Sequence, residues 1–395
     1  MRPALIATPG GLPSVGRPDS ASAVLRTVLR AGPLGRTAIS ERTGLSAAAV
    51  SRHAAELLAM GLVWEPPEPD RRARPGRPRV PLDIDTSHHV AAGVHIAAPR
   101  LTFSLTDLRG RVIASERMPR RPYHGTVLRD IAARLPGFLR RHAEGCSVLG
   151  LGVATGGRVD PRAGVLVENA ALGWRDVPLR RRLQSVVGLP VHVESHARAL
   201  ARAELLLGTA DGGGDLLHLF VGNAVDAAIA TGGILLQGHR YGAGGIAHLP
   251  VPGSTEPCPC GRTGCLQATV SDRAVAERAV AAGIIPQPDL RLLLRAAREG
   301  DARAVELCRG RLRLIARAVR PMLDVLSPDA VVLTEAATLH LPGLLSVVTR
   351  ELDSAGDRVR ASSFGGNTLA VAAAAPVLAA VYRDPLGLRT AGRSR

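Results

Sequence analysis

Between Ser22 and about Val63 the apolar positions recur at helical spacing. Val24, Leu25, Val28 and Leu29 repeat at i, i+1, i+4 and i+5, which gives a first helix one buried stripe. Gly32-Pro33 ends it. A second, short helix covers about Thr37 to Thr43 with Ala38 and Ile39 inward. Thr43-Gly44-Leu45-Ser46 then reads as a tight turn: Gly44 suits a left-handed C-cap and Ser46 the N-cap of the next helix. The third helix runs from Ala47 to about Met60 and buries Val50, Ala54, Leu57 and Leu58. Gly61-Leu62-Val63 leads into a strand.

Helix, helix, four-residue turn, helix and strand form the layout of a winged helix-turn-helix. There the third helix projects its N-terminal half into a major groove. Its outward residues are Ala47, Ala48, Ser51 and Arg52. An ordinary three-helix bundle shares this spacing. The adjoining segment separates the two: residues 71–79 read RRARPGRPR, dense in Arg and free of acid. Gly76-Arg77-Pro78 is compact enough for a narrow minor groove, with Arg74 and Arg77 reaching inward. A solvated basic linker is the plainer reading of such a run, but its place directly after a winged helix favours the groove.

From Pro81 the rhythm shifts to period two. Val90 to Ile96 and Arg100 to Leu108 read as strands, Arg109-Gly110 as a turn, and Arg111 to Ser115 as a returning strand. Asp130 to Arg140 is helical. Val148 to Ala154 and Pro190 to Glu194 are strands, and Ala197 to Leu207 is a helix. Leu216 to Val221 and Ala227 to Ile234 form a hairpin. Strands before helices, twice over, predict an α/β protein of two similar lobes. The expected organisation is a floppy tail at 1–20, a winged helix-turn-helix at 21–80, a two-lobed domain at 81–385 (lobes roughly 81–205 and 206–385) and a tail at 386–395.

Composition narrows the partners. Of 395 residues only 2% are aromatic, so cores are built from Ala, Leu and Val, and the composition argues against a surface that stacks bases on rings. The formal charge is +16 and every basic residue is Arg, which removes lysine-based catalysis and favours a polyanionic partner. The opening residues carry no secretory pattern. The apolar run Leu369 to Tyr382 is too short to span a bilayer and reads as a core helix. The expected location is the cytoplasm.

Of five cysteines, Cys258, Cys260 and Cys265 fall within eight positions. With His248 they supply three thiols and an imidazole, a set that closes a tetrahedron around Zn²⁺. Gly261 and Gly264 permit the turns that bring Cys265 back. Four protein ligands leave no open position, so the zinc is expected to be structural. Cys146 and Cys308 read as small core residues.

The stretch His248 to Gln267, HLPVPGSTEPCPCGRTGCLQ, resembles the zinc signature of the ROK family, a His followed by C-x-C-G-x-x-G-C-x-E. NAALGWRDVPL (169–179) and ESHARALARAE (194–204) also fall where motifs of that family do. The resemblance spans nearly all of residues 22–385. It implies an actin-like, ribonuclease-H-like two-lobed domain behind the DNA-binding head. The family groups sugar-responsive repressors with sugar kinases.

Against the kinase pattern, the phosphate turn D-x-G-x-T reads His95-Ile96-Ala97-Ala98-Pro99. The second hairpin, G-x-G-I-G, reads Gly222-Asn223-Ala224-Val225-Asp226. The catalytic Asn-Asp pair reads Ser195-His196, and the nucleotide-side Gly-Gly reads Thr334-Glu335. Proline removes an amide donor and Asp226 repels phosphate. Of the sugar-site groups the resemblance implies, Asn169 and His248 are present. One Glu is replaced by Gly245 and another by Gln267; His196 stands at the position of the base. The cleft therefore either takes a different ligand, such as an acidic or phosphorylated sugar, or has lost its ligand. The resulting expectation is a transcriptional regulator of carbohydrate-related genes, a repressor by preference. It would bind duplex operator DNA as a homodimer or homotetramer, with a sugar or sugar-derivative effector. The alternative is an active sugar kinase with an appended DNA-binding domain.

Overall fold

A computed structural model describes residues 5–6, 19–67, 80–97, 100–121, 123–170, 172–209 and 214–390. Two compact units emerge. The first holds residues 1–155, 159–194 and 369–395, and the second holds 156–158 and 195–368. The last stretch of chain thus belongs with the first unit, which boundaries drawn along the sequence at 205 and 206 do not capture.

The first unit begins with β1 (Leu5–Ile6), followed by α1 (Ser20–Ala31), α2 (Arg36–Thr43) and α3 (Ala47–Ala59). Val24, Leu25, Val28 and Leu29 are buried, as the stripe predicts. Gly44 takes φ +69° at the C-cap of α2, and Ser46 Oγ accepts the Ala49 N–H at the start of α3. The inward face of α3 is Val50, His53, Ala54 and Leu57. His53 is buried where the apolar pattern pointed to Leu58, which is half-buried; the imidazole lies 2.8 Å from Glu56 Oε2. A short antiparallel pair, β2 (Val63–Trp64) and β3 (Asp83–Ile84), closes the head.

The central sheet of this unit comes next. β4 (His89–Ile96), β5 (Arg100–Thr106) and β6 (Val112–Pro119) form an antiparallel meander. The third strand runs four residues past Ser115. Helix α4 (His124–His142) is longer than the 130–140 core suggested, because Val127 and Leu128 at its start are buried too. β7 (Ser147–Thr155) then pairs parallel with β4. A small sheet of β8 (Arg158–Asp160), β9 (Val165–Asn169) and β10 (Trp174–Val177), helix α5 (Leu179–Val187) and β11 (Val191–Ser195) complete it. The sheet order is β11-β7-β4-β5-β6.

The second unit repeats the plan. After α6 (His196–Leu207), the strands β12 (Leu216–Val221), β13 (Val225–Thr231) and β14 (Ile234–Leu235) form the antiparallel part. Helices α7 (Leu266–Val270), α8 (Asp272–Ala281), α9 (Leu290–Arg298) and α10 (Ala302–Leu326) lead to β15 (Ala330–Glu335), which lies parallel to β12. α11 (Ala336–His340), α12 (Leu345–Glu351) and β16 (Val359–Ala361) come after it, and the sheet order is β14-β13-β12-β15-β16. A hairpin whose first strand also pairs parallel with a strand beyond a helix occurs in each unit, as the α/β reading expects.

The chain returns to the first unit in α13 (Thr368–Arg383) and ends the described part at β17 (Arg389–Thr390), antiparallel to β1. α13 is Ala-rich because it lies almost on the sheet. A Cβ on Gly152 would sit 2.0 Å from the Ala373 carbonyl oxygen, and one on Gly93 would sit 2.7 Å from Ala373 Cβ. Ser104 Oγ donates to the Ala370 carbonyl at 2.8 Å. The segment Gly365–Arg383 is long and apolar enough to cross a membrane by composition. Its 18-residue apolar window is 72% buried within the protein, as for a core helix.

Candidate DNA-binding face and metal centre

On α3, Ala47, Ala48, Ser51 and Arg52 are all exposed, one turn and the next along a single face, while the opposite face is buried. The expected outward set is therefore one contiguous surface of small side chains with a single guanidinium. Small residues leave room for close approach of the helix axis, and Arg52 supplies the long donor. Arg52 Nη2 lies 3.4 Å from His53 Nε2, and His53 Nδ1 lies 2.8 Å from Glu56 Oε2. This chain of contacts orients Arg52 from behind. Sequence pattern missed it, although His and Glu at i, i+3 is the visible signal. Arg74 and Arg77 lie outside the described residues, in the connection between β2 and β3.

In the second unit the ligand atoms of His248, Cys258, Cys260 and Cys265 all lie within 4.8 Å of one another. The loop is pinned by bridges Pro250–Cys265 and Pro257–Thr263. Gly261 (φ +86°) and Gly264 (φ +69°) make left-handed turns on either side of Arg262; at Gly264 a Cβ would meet the Ser254 carbonyl at 2.4 Å. Cys260 Sγ and Cys265 Sγ are 3.7 Å apart, as are Cys258 Sγ and His248 Nδ1. Tetrahedral thiolates at a Zn–S bond of about 2.3 Å are separated by roughly 3.8 Å, so these spacings suit that ion. Arg262 hydrogen-bonds to the Cys260 thiol and pulls it down to about 6, whereas burial pushes Cys265 up to about 11. A divalent cation satisfies all three sulfurs as thiolates. Cys308 is buried, and Cys146 is half-buried with its Sγ 3.5 Å from the Ser87 carbonyl.

The remaining predicted ligand residues divide between the units. In the first, Asn169 is buried at the end of β9, where Oδ1 accepts the Leu172 N–H at 3.1 Å. In the second, His196 is the first residue of α6 and stacks on Phe220 with ring centroids 4.0 Å apart. Ser195 caps that helix by accepting the Arg198 N–H. Gln267 Oε1 accepts the Val225 N–H at 3.2 Å, tying α7 to the hairpin. Neighbouring Asp226 accepts the Ala227 N–H at 3.0 Å, and burial raises its carboxyl to about 7. Thr334 Oγ1 meets His218 Nε2 at 3.1 Å, and Glu335 is fully buried against Arg311 at 2.7 Å. Arg311 also holds Asp272 at 2.7 Å and the Val270 carbonyl at 2.8 Å. At the position where the resemblance implies a Gly-Gly pair, this chain carries a packed ion-pair network built on Glu335. Sequence reasoning noted the Glu but not its partner.

The chain matches two family models. The ROK family model matches residues 91–356, and the MarR family model matches residues 15–73. This chain belongs to the ROK family. A transcriptional regulator of Mycobacterium tuberculosis is 35% identical over 401 residues, covering 96% of this chain and 90% of the relative. Among solved structures, a ROK family transcriptional regulator homologous to the Escherichia coli MLC protein superposes with TM-score 0.73. It is 21% identical and covers 92% of this chain and 96% of its own. A ROK family glucokinase from Streptomyces griseus, in complex with glucose and AMPPNP, gives TM-score 0.64 at 25% identity. That match covers 72% of this chain and 98% of the kinase.

Proposed function

We propose that this chain is a DNA-binding transcriptional regulator, with repression as its preferred mode and carbohydrate-related genes as its targets. The observation that carries the reading is α3: a Ser-capped helix whose N-terminal half presents Ala47, Ala48, Ser51 and Arg52 on one open face. The likeness to regulators runs the length of the chain, whereas the glucokinase likeness covers a smaller share of it, and this supports the same choice. In this reading Arg74 and Arg77 contact a minor groove, and a dimer or tetramer meets a palindromic operator.

His248, Cys258, Cys260 and Cys265 are assigned to one structural Zn²⁺ that stabilises the loop. Asn169, His196, His248 and Gln267 are assigned to an effector, a sugar or sugar derivative. Catalysis is not part of the proposal. The turn 95–99 lacks the expected hydroxyl and one amide, the pair at 195–196 is Ser-His, and Asp226 and Glu335 replace glycines of the two nucleotide-side motifs that the resemblance implies.

Operator selection from a random duplex pool, followed by binding of the selected duplex at several salt concentrations, tests the reading. The expected result is a two-fold symmetric site, steep salt dependence, and loss of base preference in Arg52→Ala. Binding that is salt-independent, or no binding at all, overturns it.

A further inference from the structure

Five guanidinium groups gather on the outer side of α10 and α12, within the second unit. Arg309, Arg313, Arg317 and Arg320 succeed one another along a single stripe of α10, and Arg350 comes from α12. Three carboxylates answer them. Glu306 holds Arg313 at 2.8 Å and reaches Arg309 only at 3.9 Å. Glu351 is taken by Arg317 at 2.6 Å, and Asp353 by Arg320 at 3.2 Å.

The positive surplus falls on Arg309 and Arg350. Arg350 Nε donates to the Ser346 carbonyl at 3.1 Å; its terminal nitrogens meet no acceptor among the described residues. These two under-committed arginines belong to different helices, and they converge instead of diverging. With Arg313, Val347 and Glu351 they line one surface pocket of about 380 Å³. A solvated charged face spreads its cations apart. Here like charges are held around a concavity by the packing of two helices, at a Coulomb cost that a bound anion relieves.

We propose that this pocket is a binding site for a small dianionic phosphate group, with Arg309 and Arg350 as its two principal donors and Arg313 in support. Glu351 does not oppose the anion because Arg317 neutralises it. A phosphate monoester matches a doubly positive surplus, and planar guanidinium forks bind its oxygens in pairs. The site shares no residue with the effector set assigned above and does not depend on it.

The full-length protein is titrated by calorimetry with inorganic phosphate, a hexose 6-phosphate and the unphosphorylated hexose. Arg309→Gln with Arg350→Gln is compared with wild type, and Arg295→Gln with Arg298→Gln, two exposed arginines outside the pocket, controls for net charge. Expected is saturable binding of inorganic phosphate or the hexose phosphate that the double variant weakens by about tenfold or more and the control leaves unchanged. Stronger binding of the hexose phosphate assigns an organic ester as the occupant; equal binding assigns free phosphate. The same variants are tested on duplex DNA without phosphate. Duplex binding that weakens in the double variant alone, with no phosphate binding, makes the surface a nucleic-acid contact and overturns the proposal. So does phosphate binding that all variants share, or no saturable binding. Intact operator binding in the double variant keeps the regulator reading separate from this one.

Discussion

Ser22 Oγ, inside α1, donates a 2.6 Å hydrogen bond to the carbonyl of Tyr382, which lies 360 positions later in α13. The Tyr382 hydroxyl in turn donates to the Leu108 carbonyl at 2.8 Å, and Arg109 reaches the Leu29 carbonyl at 3.1 Å and also pairs with Asp83. The helical head is thereby fastened to the helix that underlies the central sheet of the same unit. Tyr382 is fully buried, so Tyr382→Phe leaves the Leu108 carbonyl enclosed without its donor. The expected cost is about 1–3 kcal/mol. Urea unfolding of wild type and variant measures it, and an unchanged midpoint contradicts the assignment.

The same helix sets a steric test. Gly152 has no Cβ because the Ala373 carbonyl oxygen occupies that space. Gly152→Ala forces the helix from the sheet. The expected loss is about 1–3 kcal/mol, the range for overpacking a tight core, read as a lowered thermal midpoint. Gly125→Ala, where a Cβ meets nothing within 4 Å, is the matched control and leaves the midpoint near wild type.

The contrast between these two glycines marks what the sequence makes legible. Local signals suffice for the head: Gly44 and Ser46 carry their cap geometry in their own chemistry, and Val24 to Leu29 carry a periodicity. The cysteine spacing likewise leads to one cluster. Long-range partners are not legible. Nothing near Ser22 announces Tyr382, nothing near Glu335 announces Arg311, and the return of α13 to the first unit depends on a fit between distant small residues. His53 escapes for a different reason: an apolar pattern assigns the inward face to Leu58 and has no place for a buried imidazole satisfied by its own helix.

For the metal centre, about one zinc per chain is expected to copurify with reduced protein. Cys260→Ser should lose most of it and lower the thermal midpoint, because ion binding at such a site contributes directly to folding. Cys308→Ser should keep the metal. Elemental analysis of both variants checks this, and zinc content that is unchanged in Cys260→Ser rejects the ligand set.

Stability should depend on pH through two groups of opposite sense in the second unit, the buried His218 and the half-buried Asp226. Burial holds His218 at about 3, below its ordinary 6.5. Its contribution is complete above 6.5 and is lost as pH falls toward 3, because the unfolded chain takes the proton first. Asp226 is raised from 3.8 to about 7, so its contribution is complete below 3.8 and is lost as pH rises through 7. Asp226→Asn should therefore stabilise the protein at about pH 8 and give no gain near about pH 4. Urea midpoints across that range test the sign, and a gain confined to acid pH refutes it.

Kinase chemistry should be absent and should resist repair at a single position. His196→Asp returns a carboxylate to the start of α6, and general-base help is worth roughly 10²–10⁴-fold where the reactants are already held. Positioning matters more here, and phosphoryl transfer obtains it from amide cradles and cations around the nucleotide. Asp226 puts a side-chain carboxyl on the hairpin where the kinase pattern has a glycine, while Glu335, locked to Arg311, fills the end of β15 with a buried ion pair. One restored carboxylate changes neither. A coupled assay of ADP release with a panel of hexoses should show no sugar-dependent turnover in the wild type or in His196→Asp. Release that rises with a sugar and disappears in His196→Ala would make the protein a kinase carrying a DNA-binding head.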